Sequence, residues 1–323
     1  ASCLVGSEMC IRDRMKNKVI VGTRTSKLAL FQTNKVIFEL KKNFRNLEFE
    51  IKEVKTKGDI LLNQTLDRNL DKGFFVKEIQ QLIIEEKIDI AVHSLKDLPV
   101  ENDDRLKISA ILKRGNPQDV FISKSKKLDS FGKDEVIGTT SLRRKAQLLK
   151  INPRLTVKDI RGNVETRINK MLKGEFDALV MAAAGIERLN LDHHITEYFN
   201  HKKFLNAPGQ GAIAVEHSKN NNRINEIVKK INHSKSMLCV NHERNFMKSM
   251  GGGCNYPIGA YSYFDGDTLY LEGIVLSLDG KDCIKDMVST KNFTDNLSQE
   301  LSEKFIKKDV VQIINKIDSE INK

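Results

Sequence analysis

Tryptophan is absent from this chain of 323 residues, and proline occurs only 5 times. Scarce proline excludes collagen-like and proline-rich sequences, and a 40% hydrophobic fraction is too high for a broadly disordered chain. The sequence also lacks the run of about 18 apolar residues that spans a bilayer, since its longest candidate, 178–186, is about half that length. These absences predict a globular protein of roughly two or three domains without a membrane partner.

Cysteine pairs at metal-binding spacing are missing as well. The 5 cysteines stand at positions 3, 10, 239, 254 and 283, with no C-x-x-C pair, so we predict neither a zinc site nor any other metal site. An odd number of scattered thiols argues against a disulfide framework and indicates a cytoplasmic protein. Residues 1–14 lack the basic and apolar segments of a signal peptide, and we expect them to form a disordered leader.

Positive charge is in excess. The chain has 54 lysine and arginine residues against 43 aspartate and glutamate residues, for a formal net charge of +11. This balance favours an anionic partner, whether a nucleic acid, a membrane surface or a small polycarboxylate or phosphate ligand. A nucleic acid is the least favoured of these, because the chain has neither a basic stripe nor an aromatic RNA-binding motif.

Short apolar strands alternate with amphipathic helices through much of the chain. The segments VGTRTS at 21–26 and IGTTS at 137–141 repeat one arrangement, a strand end followed by Gly-Thr and a hydroxyl N-cap. Two related α/β domains are therefore predicted. The predicted strands are 19–21 (ending at Gly22), 47–51, 88–92, 136–137, 155–160, 178–181 and 211–215, and the predicted helices begin at Ser26 and Ser141 or span 75–86, 164–172, 224–231 and 236–250.

The pattern changes after residue 257. Strands at 258–264, 268–277 and 284–289 are separated by Asp-Gly turns and followed by one closing helix over 297–317. This predicts a third, α+β domain with a small antiparallel sheet. The expected boundaries are 15–112 with 212–229 for domain 1, 113–211 for domain 2 and 230–323 for domain 3.

The segment GTTSLRR at 138–144 places two arginines where a helix begins. Ser141 is a natural N-cap, so Arg143 and Arg144 fall in the first turn, where a cation opposes the helix dipole by about 0.3–1 kcal/mol. With the Thr139 hydroxyl and the free N–H groups of the helix, these side chains would form an anion site. The alternative is that both arginines simply lie in solvent.

Two more basic turns follow strands. Arg24 stands beside Ser26 in the first half, and Arg161 and Arg167 lie in RGNVETR. The carboxyl ends of strands in open α/β sheets line the ligand cleft, so these turns would converge on a ligand with several carboxylates or phosphates. An arginine beside a glycine in a loop is also typical of an ordinary surface, and that alternative stays open.

HSLKDLP at 93–99 ends an apolar strand with a polar cluster. Asp97 precedes Leu98 and Pro99, so we expect it in an extended turn, where it would act as a general acid or base or stabilise a cationic intermediate. Lys96 would hold a carboxylate. A solvated turn without a role in chemistry is the alternative.

GGGCNYPIG at 251–259 surrounds one cysteine with glycines. Three consecutive glycines predict a flexible loop that presents Cys254, and an arginine-rich cleft would lower the pKa of its thiol and make it a nucleophile. Cys239 and Cys283 lie in apolar periodic stretches and are predicted to be core thiols.

In this order, the motifs GTRTSKLALFQ, HSLKDLP, GTTSLRR, RGNVETR, APGQGA and GGGCNYPIG resemble those of porphobilinogen deaminases, from about residue 18 to the C-terminus. The resemblance implies two domains like those of periplasmic binding proteins and a third domain bearing the cysteine. It implies a hydroxymethylbilane synthase: four porphobilinogen molecules add head to tail, with loss of ammonia, to a dipyrromethane held by Cys254, and the linear tetrapyrrole is released by hydrolysis. Such an enzyme is expected to be a cytoplasmic monomer.

The same resemblance implies roles for individual residues. Asp97 would be the catalytic carboxylate, stabilising the azafulvene cation formed as ammonia leaves. Lys72 and Phe75 would belong to a mobile lid. The residues that would bind the carboxylates of cofactor and substrate are Arg24, Ser26, Ser94, Lys96, Thr139, Ser141, Arg143, Arg144, Arg161, Arg167, Arg188 and Gln210.

A two-lobed organic-anion binding protein without catalysis is the alternative function. It would share the fold, but it would be exported and would not need an exposed Cys254. The lack of a signal-peptide pattern in the first 14 residues disfavours it.

Overall fold

Three β-sheets organise the chain, of which a computed structural model describes residues 17–56, 76–101, 103–253, 256–294 and 296–321. Two of the sheets contain five strands each, and the third contains three. The larger sheets mix parallel and antiparallel pairs, whereas the small sheet is antiparallel. The predicted fold class, two α/β units with a third α+β unit, is confirmed.

The first lobe is built on a sheet with parallel strands on one side and antiparallel strands on the other. In spatial order the strands are β2 (Glu48–Val54), β1 (Lys18–Arg24), β3 (Ile90–Ser94), β10 (Ile213–Ser218) and β4 (Leu106–Ile111), and the helices are α1 (Lys27–Asn43), α2 (Lys77–Ile84) and α6 (Asn222–Lys229). β1 is parallel to β2 and β3, and β10 is antiparallel to β3 and β4.

Gly22 does not end β1, contrary to the prediction from its sequence. The strand continues to Arg24. A Cβ at Gly22 would lie 2.3 Å from Cδ1 of Ile88. The glycine is therefore needed for the close approach of the Ile88 side chain, and it does not end the strand.

The second lobe repeats the topology of the first. In spatial order the strands are β7 (Thr156–Lys158), β6 (Val136–Gly138), β8 (Ala178–Ala182), β5 (Asp119–Ser123) and β9 (Ile195–Tyr198), and the helices are α3 (Leu142–Ile151), α4 (Val164–Leu172) and α5 (Ala183–Glu187). β6 is parallel to β7 and β8, and β5 is antiparallel to β8 and β9.

The third unit packs helices against its antiparallel sheet. Its core includes Phe246 and Phe305, whose rings meet edge to face with centroids 4.9 Å apart. The prediction of one closing helix is wrong, because Asp309 adopts φ 61° and separates two helices. The elements are α7 (Ser234–Ser249), β11 (Ile258–Asp265), β12 (Thr268–Leu276), β13 (Cys283–Thr290), α8 (Leu297–Lys307) and α9 (Val310–Ile321).

The chain passes twice between the two lobes, once before β5 and once before β10. The two crossover segments touch through their backbones, since the Gly115 N–H donates to the Gly211 carbonyl at 3.1 Å. Gly211 adopts φ 85°, and a Cβ there would lie 2.8 Å from the Gly115 oxygen. The glycines therefore allow the crossovers to pack directly against each other. Among the helices in the described ranges, none has both the length and the apolar character needed to cross a membrane.

Candidate functional site at the cleft between the lobes

The carboxyl ends of β1 and β3 lie side by side because these strands are parallel neighbours. Arg24 ends β1, and Ser26 caps α1 by accepting a hydrogen bond on Oγ from the Ala29 N–H at 3.3 Å. Ser94 ends β3. Its Oγ accepts a hydrogen bond at 2.8 Å from Nε2 of Gln32, which lies in α1. The helix thus joins the two strand ends and brings three predicted binding residues to one edge of the sheet.

A single turn of 3₁₀ helix, Leu95–Asp97, carries Asp97 at the end of β3. The predicted extended turn is wrong, because the Leu98 N–H donates to the Leu95 carbonyl at 3.2 Å and closes a helical turn. Leu95 and Leu98 are buried, whereas Lys96 and Asp97 are half-buried. The apolar side chains anchor the turn in the core and leave the two charged side chains at its surface.

Arg143 and Arg144 begin α3, as predicted, but both side chains are buried around Asp119. Arg143 Nη1 donates to Asp119 Oδ2 at 2.8 Å. Arg144 donates to Asp119 Oδ1 from Nη2 at 2.7 Å and from Nε at 2.9 Å. The two guanidinium groups also donate to the carbonyls of Leu205 and Val180. The solvent-exposed alternative is therefore wrong, and the first partner of both arginines is a carboxylate of the protein itself.

Gln210 belongs to the same buried network. Burial alone would raise the pKa of Asp119, but the charges of Arg143 and Arg144 and hydrogen bonds from Arg143 and Gln210 hold it at about 2. Gln210 Nε2 donates to Asp119 Oδ1 at 3.0 Å and to the Pro117 carbonyl at 2.7 Å. Gln210 is 1% exposed and its amide is bonded within this network, while its direct contact with a ligand stays a prediction.

Lys96, Arg161 and Arg167 add positive charge beside Asp97. Burial lowers the pKa of Lys96 to about 8. The negative charge of Asp97 raises this pKa, and the positive charge of Arg144 lowers it further. Burial lowers the pKa of Arg167 to about 10, with Arg144 and Arg161 lowering it further and Asp97 raising it. The catalytic turn predicted in the first lobe and the arginines of the second lobe therefore share one electrostatic field.

The hydroxyl residues of the second lobe shape the start of α3. Ser141 caps the helix, with its Oγ accepting from the Arg144 N–H at 3.5 Å. Thr139 is buried, and its Oγ1 accepts from the Ser141 N–H at 3.3 Å. The N-cap predicted at Ser141 is confirmed, and both hydroxyls lie where β6 ends.

The lobes also touch at the rim of the cleft. Lys27 at the start of α1 forms an ion pair with Glu165 in α4, with Nζ and Oε1 2.8 Å apart. A Cβ added to Gly185 of α5 would lie 3.6 Å from Cδ2 of Leu28. The first turns of α1 and α4 therefore face each other across the cleft.

Arg188 lies at the crossover between the lobes. Its Nη2 donates to the Gly211 carbonyl at 2.6 Å, the same oxygen that accepts from the Gly115 N–H. Burial lowers the pKa of Arg188 to about 10, opposed by the charge of Glu187. One guanidinium nitrogen of this predicted binding residue is therefore committed to holding the crossovers together.

Gly251 and Gly252 follow α7 as a helix-ending turn. The Gly251 N–H donates to the Lys248 carbonyl at 2.9 Å and the Gly252 N–H donates to the Met247 carbonyl at 3.1 Å. Gly251 adopts φ 65°, the left-handed conformation that favours glycine after a helix. Cys254, Lys72 and Phe75, which the sequence singled out, lie outside the described residues.

The other two predicted core thiols differ in burial. Cys239 is buried, and burial raises the pKa of its thiol to about 11. Cys283 is only half-buried at the start of β13, where it packs against a buried apolar cluster, so it lies at the edge of the core rather than within it. Both are free thiols.

Two buried acidic residues that accept hydrogen bonds from several segments were not predicted from the sequence. Asp119 is one, and Glu243 is the other: Arg114 donates to its carboxylate from Nη1 at 2.5 Å and from Nη2 at 3.0 Å. Glu243 also accepts from the Gly209 N–H at 2.7 Å and the Ser262 N–H at 2.8 Å. A charged residue embedded in an otherwise apolar strand or helix face is the signal that could have drawn attention to each.

The donors at the cleft fit a ligand with several carboxylates. Guanidinium groups bind carboxylates in bidentate fashion, and ammonium and hydroxyl groups supply further hydrogen bonds. Burial is the main cause of the lowered pKa values of Lys96 and Arg167, and an anionic ligand bound beside them would favour their charged forms. The residues at the strand ends with these groups are Arg24, Ser26, Ser94, Lys96, Thr139, Ser141, Arg161 and Arg167.

Comparison with known proteins gives two family matches. Residues 19–226 match the family described as "Porphobilinogen deaminase, dipyromethane cofactor binding domain", and residues 237–307 match "Porphobilinogen deaminase, C-terminal domain". The porphobilinogen deaminase of Chlorobium phaeovibrioides is 40% identical over 94% of this chain and 99% of its own length. That of Listeria innocua is 44% identical over 82% of this chain and 87% of its own length.

Among solved structures, the VFT2 domain of Bordetella pertussis BvgS, a double mutant, is similar at 15% identity with a TM-score of 0.42. The similarity covers 72% of this chain and 92% of that domain.

Proposed function

This chain belongs to the porphobilinogen deaminase family, and on that premise we propose that Asp97 is its catalytic carboxylate and that the cations around Asp97 bind the carboxylates of its ligands. The activity is that of hydroxymethylbilane synthase, a transferase that condenses porphobilinogen with release of ammonia and carries a dipyrromethane cofactor. A two-lobed anion-binding protein without catalysis is not favoured.

The position of Asp97 is the observation that carries the proposal. Asp97 and Asp119 both lie within the field of the cleft cations, but Asp119 is fully buried and bonded to Arg143, Arg144 and Gln210. Asp97 is half-buried on the turn that follows β3, where it is accessible to a ligand. Of these two carboxylates, Asp97 is therefore the one able to exchange protons with a substrate.

The dipyrromethane supplies, when bound, the pyrrole carbon to which the first substrate molecule is joined. Asp97 then serves the proton transfers of each addition: as an acid it gives a proton toward the departing ammonia, and as a carboxylate it faces the cation left on the substrate. Afterwards Asp97 accepts the proton displaced by the new bond. The positive charges of Lys96 and Arg167 lie close enough to Asp97 to interact with its carboxylate.

The arginines divide into two groups in this proposal. The first group binds the carboxylates of the acetate and propionate side chains on the pyrrole rings of cofactor and substrate. Its members are Lys96, Arg161, Arg167 and Arg24, together with the hydroxyls of Ser26, Ser94, Thr139 and Ser141. Arg143 and Arg144 act by shaping this site through Asp119, with Arg144 also contributing charge to the cleft. Arg188 reaches the ligand with the part of its guanidinium that does not hold Gly211.

Cys254 is proposed as the attachment point of the cofactor. It follows the glycine turn that ends α7. The family that matches residues 19–226 is described by this cofactor, and a thiolate is a nucleophile able to hold it covalently. Lys72 and Phe75 are proposed as lid residues by the same family resemblance.

The chain organisation and setting complete the proposal. Domain 1 comprises 15–112 and 212–229, domain 2 comprises 113–211 and domain 3 comprises 230–323, boundaries that keep each described sheet within one domain. We propose a cytoplasmic monomer, which the free thiols of Cys239 and Cys283 support, because unpaired cysteines are typical of reducing compartments.

Intact mass spectrometry tests the covalent part. Denatured holoenzyme should exceed its sequence mass of 36.7 kDa by a dipyrromethane, and it should colour with Ehrlich's reagent. The Cys254→Ser variant should lack the added mass, while Cys239→Ser, which alters a buried thiol, should keep it. Active enzyme with the bare sequence mass, or a Cys254→Ser protein that retains the adduct, would refute the attachment.

A further inference from the structure

Helix α7 of the third unit reaches the turn that carries Asp97. Arg244 of this helix is 7% exposed, and its Nη1 donates to the carbonyls of Leu95 and Leu98, each at 3.3 Å. Its Nη2 donates to the carbonyl of Pro99 at 2.5 Å. One guanidinium group therefore bonds to the backbone on both sides of Asp97.

The turn needs such support because it is a single turn of 3₁₀ helix. Such turns have poor hydrogen-bond geometry, and here the Leu98 N–H to Leu95 carbonyl bond at 3.2 Å closes it. Hydrogen bonds from a charged donor are about twice as strong as neutral ones, so three from Arg244 add a constraint larger than the turn's own bond. The planar guanidinium also fixes the relative direction of the three carbonyls.

Helix α7 is itself firmly placed. Next to Arg244, the carboxylate of Glu243 accepts hydrogen bonds from Arg114 and the Gly209 N–H, on the two crossover segments, and from the Ser262 N–H of β11. Val240, one helical turn before Arg244, packs in the apolar cluster that contains Leu95. The helix therefore offers a rigid support from which Arg244 can hold the turn.

We propose that Arg244 is a positioning residue for Asp97: it fixes the Leu95–Asp97 turn from the third unit and so sets the carboxylate against the reacting groups. This inference rests on the proposed catalytic role of Asp97. An error of about 1 Å in the position of a catalytic group can cost about 10²-fold in rate, so loosening this turn should lower kcat even though Arg244 lies behind the backbone.

The test compares Arg244→Gln and the milder Arg244→Lys with Lys248→Gln, which removes an exposed cation from the same helix. Each variant is purified as holoenzyme and checked for full cofactor by intact mass and for native packing by near-ultraviolet circular dichroism. Amide hydrogen exchange is then followed in the peptide covering residues 94–100. We expect faster exchange there in both Arg244 variants, a kcat lower by about 10- to 100-fold and a KM within about twofold, whereas Lys248→Gln should match wild type.

A double variant separates positioning from general damage. If Arg244 acts through Asp97, adding Arg244→Lys to Asp97→Asn should lower kcat no further than Asp97→Asn alone, because the carboxylate that it positions is already gone. An additional full loss in the double variant would overturn the proposal.

The exchange measurement also keeps the two hypotheses apart. Wild-type exchange over residues 94–100 in a folded Arg244→Lys protein would overturn the positioning role, whatever its rate. If exchange is faster in the Arg244 variants but Asp97→Asn is fully active, then Arg244 does stabilise the turn, and it is the proposed catalysis by Asp97 that is refuted. If Arg244→Gln does not fold, Arg244→Lys carries the test, because lysine keeps the buried charge.

Discussion

Asp97 and Asp119 are two carboxylates in the field of the same cations, and the protein treats them in opposite ways. Asp119 is 0% exposed and accepts hydrogen bonds from Arg143, Arg144 and Gln210. Asp97 is half-buried on a short turn. Arg244 donates hydrogen bonds to the backbone carbonyls of this turn and of Pro99 beyond it, not to the Asp97 carboxylate. The comparison teaches that burial and saturation of hydrogen bonds, not the sign of nearby charge, decide which carboxylate is structural and which is available for chemistry.

The largest effect should come from Asp97→Asn. The change keeps size and hydrogen bonding but removes the charge, so we expect a folded protein whose turnover falls by at least the ~10²–10⁴-fold typical of losing a general acid or base. Single-turnover formation of enzyme-bound oligopyrroles, separated by charge, measures it. Asp97→Glu should retain a little activity because its carboxylate survives in a displaced position. Oligopyrroles forming at the wild-type rate in Asp97→Asn would move the catalytic role elsewhere.

Asp119→Asn should instead act on stability. It leaves Arg143 and Arg144 buried without their carboxylate, and breaking a buried ion pair from one side costs about 3–5 kcal/mol. The free energy of unfolding from urea titration should fall by that order. Asp177→Asn, at an exposed site, provides a matched control. Equal stabilities of wild type and Asp119→Asn would show that the arginines have other sufficient partners.

The free energy of unfolding of the wild-type protein should also fall at low pH, because Asp119 becomes protonated. Its folded pKa of about 2 lies below the ordinary value of 3.8, so its contribution is present above about pH 4 and is lost as the pH falls toward 2. The shift corresponds to about 2 kcal/mol. The difference in unfolding free energy between wild type and Asp119→Asn should shrink over this window, and a constant difference would argue against the shifted pKa.

Lys96 should limit binding at alkaline pH. Because its pKa is lowered to about 8, largely by burial, Lys96 loses its charge as the pH rises from 7 to 9, and its attraction for a carboxylate goes with it. The KM for porphobilinogen should rise by up to about tenfold over that range. Lys96→Arg should flatten this rise, since an arginine stays charged. The same alkaline rise in both proteins would assign it to another group.

The smallest effect should come from the ion pair across the rim of the cleft. The side chains of Lys27 and Glu165 are 73% and 41% exposed, so water and salt screen their attraction. Lys27→Gln should change the free energy of unfolding by less than about 1 kcal/mol. A loss comparable to that of Asp119→Asn would mean that the rim holds the lobes together more strongly than the buried network.

Much of the fold was visible in local sequence patterns. The N-caps at Ser26 and Ser141 and the helix over Val164–Leu172 follow from side-chain chemistry and apolar spacing, which neighbouring residues determine. The strands β4, β5 and β9 were missed, because short strands acquire their pairing from distant partners. The break between α8 and α9 was missed because Asp309 adopts a left-handed conformation without the glycine that usually signals one.

The site was predicted less completely than the fold. Sequence showed that Arg143 and Arg144 are costly at a helix N-terminus, which favoured an anionic partner and left exposure to solvent as the alternative. It did not show that the partner is Asp119, 24 positions before Arg143, because that contact exists only when β5 packs against α3. The hold of Arg244 on the turn at Leu95 joins residues 149 positions apart and is equally invisible to local patterns.

The place of β10 in the first sheet has a consequence for how the protein is made. Ile213–Ser218 lies between β3 and β4, so among the described strands β4 gains its neighbour in the sheet only after the whole second lobe has been synthesised. On the ribosome, the second lobe can complete its sheet as soon as Tyr198 has emerged, before the lobe that precedes it in sequence. Domains usually form in order from the N-terminus, but here the sheet of the first lobe is completed after that of the second, and unpaired strand edges of this kind make partly folded chains prone to aggregation.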